Sequence, residues 1–382
     1  VITMGLGVLA VAIWAGLLLG RGFFWLADQT DASDIAAPAA WPDVTAVVPA
    51  RDEADVIARS IESLLAQDYP GAFQVILVDD DSSDGTAEAA RAAAQMSAAP
   101  DRLEILSGHP LASGWTGKLW AVSQGVARAA QTQPRYLLLT DADIAHAPDN
   151  LRRLVSRAER GGFTLTSLMA QLHCATAAEK LLIPAFVLFF QMVYPFRQVN
   201  SPNHRLAAAA GGCMLVSSAA LERAGGVAAI RTAIIDDCAL GALMKKQGPI
   251  WLGLTHRARS LRPYPDIGAI GHMVSRSAYA QLNFSPWALA GTVFGLALVY
   301  LLAPGLTLFG AGEARMLGLT GWALMALCFQ PMLRFYRRSP LWGLALPAIG
   351  AFYGVFTLQS AIQYWRGRGG MWKGRSQALA RT

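Results

Sequence analysis

Hydrophobic and polar positions divide the chain into apolar ends and a mixed middle. Gly5–Leu26 is apolar almost throughout, interrupted only by Arg21, which predicts an N-terminal transmembrane helix within residues 1–27. A secretory leader is the rival reading, but the run lacks a positive n-region and a clear small-x-small cleavage site. Residues 28–43, rich in Ala, Asp and Pro, read as a linker. From residue 44 the period changes. Val44–Val48 is a short apolar run ending in Pro49, and Ala54–Ala66 carries apolar residues at helical spacing. Phe73–Val78, Leu103–Leu106 and Tyr136–Thr140 read as further strands, with helices over Gly85–Met96 and Lys118–Ala130. Strand–helix alternation at this spacing predicts an α/β domain over 44–280, a mostly parallel sheet with helices on both faces. Ligands of such sheets bind beyond the carboxyl ends of the strands.

Residues 178–196 interrupt that domain. Leu181–Phe196 is apolar but short, and Pro184 and Pro195 break it, so it reads as an interfacial or re-entrant segment. Residues 281–365 hold three more apolar stretches, Trp287–Phe309, Met316–Leu333 and Leu341–Trp365. A basic tail, 366–382, follows. The basic loop Arg334–Arg338 belongs on the cytoplasmic side, which places the middle domain there too. If all three stretches cross, the basic tail ends outside, and the two signals conflict. Pro347, Gly350 and Gly354 leave re-entry of the last stretch open.

Composition supports the same division. The chain is 54% hydrophobic and only 15% charged, where an ordinary soluble domain is about 25% charged. Much of the net charge of +6 comes from Arg334, Arg337, Arg338, Arg366, Arg368, Lys373, Arg375 and Arg381, beside the apolar stretches. That placement suits a bilayer of anionic lipids and argues against nucleic acid as a partner. Cys174, Cys213, Cys238 and Cys328 form no C-x-x-C pair and read as reduced thiols. His146, His204, His256 and His272 are scattered and read as polar surface residues.

Three acidic clusters carry the candidate chemistry. Asp79, Asp80 and Asp81 end an apolar strand, where three like charges repel unless something cationic or a hydrogen-bond donor answers them. Ser83 and Asp84 read as helix caps. Asp141 and Asp143 follow the next apolar strand and, two residues apart in extended chain, point to one side. Two such carboxylates suit a hard divalent metal, Mg2+ or Mn2+; a solvated turn before Pro148 is the alternative. Asp236 and Asp237 open a helix, where acids are also favoured by the helix dipole. As chemistry, Asp237 reads as a general base. Gly117-Lys118 at a helix start offers N–H groups and a cation to a diphosphate. Gly211-Gly212 precedes an apolar strand, either for close approach to a ligand or as a simple bulge.

Taken together these motifs resemble family-2 glycosyltransferases. Val47–Glu53, Val78–Thr86, Asp141-Ala142-Asp143 and Asp236-Asp237 carry the resemblance, which spans the middle domain. Longer phrases, among them Gly114–Trp120, Thr140–Val155, Trp251–Pro263 and Met273–Leu282, are similar to the bacterial hopene-associated glycosyltransferases, and more distantly to ceramide glucosyltransferases. The resemblance implies a GT-A-type fold and a nucleotide-sugar donor held by Pro49, Arg51, Glu53, Asp79, Asp80 and Lys118. It implies that Asp141 and Asp143 hold the metal and donor diphosphate, and that Asp237, beside Asp236, is the catalytic base. The acceptor it implies is a membrane lipid, hopanoid or polyprenoid-derived, with Gly212 and Arg276 on the acceptor side, and the location the bacterial inner membrane. The family's Q/R-x-x-R-W motif is replaced by His272–Ser277, which keeps Arg276 and lacks the Trp. That weakens the competing expectation of a processive polysaccharide synthase. A non-catalytic binding or assembly protein is the other competitor.

Overall fold

The computed structural model describes residues 2–373 and 375–376. Arg381, counted above in the basic tail, lies outside the described residues. Helix α1 (Ile2–Gly20) precedes a domain that opens β1 (Val44–Ala50), α2 (Ile57–Leu65), β2 (Phe73–Asp79), α3 (Thr86–Met96), β3 (Leu103–Ser107), α4 (Gly117–Ala129), β4 (Tyr136–Thr140). There follow β5 (Ile144–His146), α5 (Asn150–Gly161), β6 (Leu165–Gln171), α6 (Ala177–Val193) and α7 (Phe196–Asn200). The domain closes with β7 (Cys213–Ser217), α8 (Ser218–Arg223), α9 (Asp236–Lys245), β8 (Ile250–Ser260), α10 (Ile267–Ser275) and α11 (Ala278–Gln281). The chain then runs through α12 (Pro286–Phe309), α13 (Gly312–Phe335), a 3-10 run at Pro340–Ala345 and α14 (Leu346–Trp365).

Strand periodicity decides which helices cover which face. Val44, Ala46 and Val48 of β1, Val75 and Leu77 of β2, and Leu138 of β4 point into one core with Ile57, Ile61, Ala90, Leu151 and Leu154 of α2, α3 and α5. Their alternates, Val47, Ile76, Val78, Leu137 and Leu139, point into a second core with Leu119 and Val122 of α4 and Leu182 and Val187 of α6. At Gly125, a Cβ would stand 2.4 Å from a Val47 methyl, so only glycine lets α4 lie this close to β1.

The sheet is mixed. Its order is β3-β2-β1-β4-β7-β6-β8-β5. The half read from sequence, β3 to β4, is parallel. Strand β7 lies antiparallel between β4 and β6, and β5 is antiparallel to β8. The reason is connectivity: past β4 the strict strand–helix alternation ends, so strands can enter from the other end.

The second core continues into the apolar helices. Among the described residues, four helical segments are long and apolar enough to cross a membrane: Ile2–Gly20, Pro286–Phe309, Gly312–Phe335 and Pro340–Trp365. Trp14 of α1 donates its indole N–H to the Val299 carbonyl (3.0 Å) and meets Tyr300 edge-on, which ties α1 to α12. The Arg21 that breaks the first apolar run donates to the Met192 and Val193 carbonyls (3.0 and 2.9 Å), capping the end of α6. Packing within the protein accounts for the apolarity of α6: Leu182, Ile183, Ala185, Val187 and Leu188 are all buried. A capping box of Thr176 and Glu179 starts that helix. Residues 28–43 carry no helix or strand, yet Thr30 bridges to Leu254 of β8, and Asp31 is buried against Thr255.

Candidate functional site

The strand ends deliver the acids to one edge of the sheet. Asp79 ends β2 and Asp141 follows β4, while α9 brings Asp236 and Asp237 from the far side. Lys118, at the first turn of α4, joins them. Its Nζ lies 2.8 Å from Asp141 Oδ1 and 3.0 Å from Asp236 Oδ2. Thr116, just ahead of α4, fixes that turn by donating its N–H to the Arg231 carbonyl (2.9 Å). A cleft opens here, lined by Pro49, Lys118, Thr140, Asp141, Gly211 and Asp236 above an apolar floor that includes Leu119, Leu139 and Met214.

Asp237 has no cation in direct contact among the described residues. Its carboxylate accepts from the N–H of Gly211 (3.0 Å) and of Cys238 (2.7 Å). Burial and the neighbouring Asp236 push its pKa up to about 6, against the pull of Lys118 and the two N–H groups. Asp141 is likewise raised, by burial and then by Asp143 and Asp236, with Lys118 opposing. Burial works against the charge on Lys118, but Asp141 and Asp236 outweigh it and raise its pKa.

A second group of charges sits beside the first. Arg262, just beyond β8, pairs with Glu53 and reaches Asp143 Oδ2 at 3.3 Å. Lys373 comes from the C-terminal tail to within 3.0 Å of Glu53 Oε1 and donates to the Asp52 carbonyl (2.8 Å). Burial raises the Glu53 pKa, opposed by Arg262 and Lys373. On the rim, Arg51 stands 3.8 Å from Asp80 Oδ2 and donates to the Asp80 and Asp81 carbonyls. Asp79 accepts from the Ser82 N–H (3.2 Å).

The arrangement gathers Pro49, Glu53, Lys118, Asp141, Asp143, Asp236 and Asp237 around one edge, with Arg51, Asp79 and Asp80 beside them. Two expected residues stand apart. Gly212 faces the sheet: a Cβ there would press at 3.2 Å on Ala170 and Ile144. Gly211 is the glycine at the cleft, where a Cβ would lie 3.5 Å from Asp237 Cβ and 3.6 Å from Lys118 Nζ. Arg276 is exposed just past α10, and no ion pair joins it to the acids among the described residues. Asp84 acts locally, accepting from the Ala54 and Thr86 N–H groups and the Thr86 hydroxyl.

His146 corrects the surface reading of the histidines. It is 5% exposed, with Nε2 3.0 Å from Thr140 Oγ1 and Nδ1 2.9 Å from Asn150 Nδ2, and burial lowers its pKa to about 4. It braces the strand end that presents Asp141. His204, His256 and His272 are exposed as expected. The four cysteines are unpaired. Sequence reasoning missed Arg262, which no motif singles out between Leu261 and Pro263, and placed Lys373 only among membrane-flanking cations.

Metal ligation calls for oxygen donors, and the donor set fits. Asp141 and Asp143 supply hard carboxylates that are mutually repelling and half-buried, the condition a divalent cation relieves. No group of three His, Cys, Asp or Glu side chains able to enclose an ion occurs among the described residues. An ion here would take its remaining ligands from water or a bound phosphate, as Mg2+ commonly does.

Comparison with known proteins agrees with this geometry. Residues 45–225 match the model of glycosyl transferase family 2; Asp236 and Asp237 lie beyond the matched stretch. The chain is 37% identical over 121 residues to the succinoglycan biosynthesis protein ExoO of Rhizobium meliloti (strain 1021), covering 32% of this chain and 31% of that one. It is 41% identical over 66 residues to the glycosyltransferase AglE of Haloferax volcanii, covering 17% and 21%. The chain therefore spans less than a third of either curated relative. Its fold is similar to a mannosyltransferase of Pyrobaculum calidifontis solved with GDP-Man and Mn2+, with a TM-score of 0.56 and 17% identity over 94% of this chain and 99% of that one. The α/β domain is thus GT-A-like.

Proposed function

We propose that the chain is a membrane-bound glycosyltransferase that moves a sugar from a nucleotide-sugar donor, a UDP-sugar by resemblance, to a lipid acceptor. The observation that carries this reading is the Lys118 bridge between Asp141 and Asp236, over a cleft where Asp237 is held by backbone N–H groups alone. Carboxylates paired with a displaceable cation suit an anionic donor, and an ionisable carboxylate without a cationic partner in contact suits a base.

In the proposed reaction the acceptor hydroxyl attacks the anomeric carbon in a single inverting displacement, and Asp237 takes its proton. The C–O bond to the diphosphate breaks as the new one forms. Lys118, released from Asp141, meets the charge that develops on the departing diphosphate. Asp141 and Asp143 would hold a divalent cation, which, when bound, neutralises that charge. Pro49, Arg51, Glu53, Asp79 and Asp80 frame the nucleoside. The mannosyltransferase solved with GDP-Man and Mn2+ supports both donor class and metal.

The apolar helices, the basic residues beside them and the second core shared with α6 support a lipid acceptor reached from the bilayer, with the domain facing the cytoplasm of a bacterial inner membrane. A hopanoid or related polyprenoid lipid is the acceptor favoured by resemblance. Membranes containing the protein, incubated with labelled nucleotide sugars with and without Mn2+ and then extracted, should yield one labelled lipid in a metal-dependent manner. Label in high polymer, or no transfer from any donor, would overturn the reading.

A further inference from the structure

The path of the last apolar segment can be followed by what it touches. Helices α12 and α13 are joined by a tight turn at 310–311, so the start of α12 and the end of α13 share one side. The 3-10 run then descends beside α13. Gln330 donates to the Pro340 carbonyl, and Trp322 donates to the Leu344 carbonyl, both at 3.2 Å. From Phe335 back to Trp322 is thirteen residues of helix, about 20 Å at 1.5 Å per residue. Helix α14 climbs back along α12. Gly350 lies on the Tyr300 ring, Gly354 faces Leu296, and Tyr364 stacks on Phe284, just ahead of α12, at 4.4 Å. Gly271 of α10 meets Phe356, and Trp365 meets Tyr279 edge-on. The segment leaves on the side it entered. Arg334, Arg337, Arg338, Arg366 and Arg368 then all lie on the face of the α/β domain, as the distribution of positive charge requires.

The consequence is at the active edge. Because the chain returns, the residues after α14 reach the domain, and Lys373 ends on Glu53 and the Asp52 carbonyl. Glu53 is shared with Arg262, which also holds Asp143, so the tail is wired to the second acid of the Asp141-Ala142-Asp143 motif through three ion pairs. Asp52 takes a left-handed backbone (φ 50°) and accepts from the Ser83 N–H at 2.9 Å, linking the loops after β1 and β2. Lys373 thus adds a cation to the chain Glu53–Arg262–Asp143, whose last carboxylate is the one proposed to hold the metal and the donor diphosphate.

We infer that Pro340–Trp365 enters the bilayer and returns to the same face, and that Lys373, which it delivers, is a donor-site residue that binds the nucleoside diphosphate part of the donor. This rests on the glycosyltransferase reading of the site. A side chain that only tethered the tail would matter for stability and not for phosphate.

The test uses the full chain in lipid nanodiscs. Binding of UDP and GDP in the presence of Mn2+, and of uridine and guanosine, is measured by calorimetry for the wild type, Lys373→Ala and Lys373→Arg. Loss of a charge-assisted hydrogen bond should weaken the preferred nucleoside diphosphate about tenfold or more, leave its nucleoside unchanged, and be largely restored by Arg. Unchanged diphosphate binding in Lys373→Ala, with only a lowered Tm, overturns the inference while the glycosyltransferase reading stands. A wild type that binds neither diphosphate overturns both. An epitope tag after Thr382 should be digested by protease in inverted vesicles together with the α/β domain; protection of the tag while that domain is cut would overturn the re-entrant path.

Discussion

Asp237→Asn is the sharpest perturbation of the proposed chemistry. The wild-type carboxylate satisfies two backbone donors, the N–H groups of Gly211 and Cys238. An asparagine offers one carbonyl oxygen, so one of those N–H groups loses its acceptor, at a cost of about 1–3 kcal/mol. The fold should survive, and the donor, held elsewhere, should still bind. Transfer is another matter. A positioned general base contributes roughly 10²–10⁴ in rate, equivalent to about 2.7–5.4 kcal/mol at 1.36 kcal/mol per decade.

The pH dependence gives a second readout. With a carboxyl raised to about 6, the wild-type kcat should climb as pH rises through that value, because only the ionised form accepts a proton. The residual rate of the variant should lack this limb. Stability should move in the opposite sense. A carboxyl whose native pKa is raised binds its proton more tightly folded than unfolded, so the native state loses stability as pH rises from about 4 through 6. The variant has no such term, and its Tm relative to wild type should therefore increase between pH 5 and pH 8. The assay is transfer to extracted lipid at saturating donor, with thermal unfolding in parallel. A variant that turns over within threefold of wild type and keeps the same acid limb would refute Asp237 as the base.

Chelation should abolish transfer and added Mn2+ or Mg2+ restore it; in Asp143→Asn the Mn2+ concentration for half-maximal rate should rise on the order of tenfold or more, read by metal titration of the initial rate. His146→Phe removes the partner of Thr140 and Asn150 and should cost about 1–3 kcal/mol by denaturant unfolding at pH 7. Because burial depresses His146 to about 4, its contribution is present above 6.5 and lost as pH falls toward 4, so the gap between wild type and variant should narrow in acid. Gly241→Ala places a Cβ 2.7 Å from the Ala208 carbonyl carbon and should lower stability by about 1–3 kcal/mol, seen as a reduced Tm.

The parallel half of the sheet was legible because each strand is a short apolar run between helical periods; β1, β2, β3 and β4 lie within two residues of where the pattern put them. The acids were legible for the same reason, as charged residues at the ends of apolar strands. What hydropathy could not show is direction. β7 reads as an apolar run after two glycines, and only its pairing with β4 and β6 makes it antiparallel to both. Nor could it separate apolar because buried in protein from apolar because facing lipid, which is the ambiguity of α6. Arg262, His146 and Lys373 depend on contacts across more than a hundred residues or on burial, which no local spacing records.

The charges at the active edge explain how such a site stays folded without its donor. Asp141 and Asp236 are answered by Lys118, Asp143 and Glu53 by Arg262, Glu53 again by Lys373, and Asp80 by Arg51. Removing one partner of a half-buried pair leaves the other charge unanswered, so these cations cannot simply leave. They can be exchanged. With a divalent cation held by Asp141 and Asp143, Lys118 and Arg262 would be free to turn toward the phosphates that accompany it. Each charge would then keep a partner throughout, and the exchange would favour metal and diphosphate binding together over either alone. Asp237 is outside this exchange because backbone N–H groups, not a side-chain cation, contact its carboxylate. Those backbone donors hold the proposed base in place on the fold, while its proton affinity follows Asp236 and Lys118 as the charges around it trade partners.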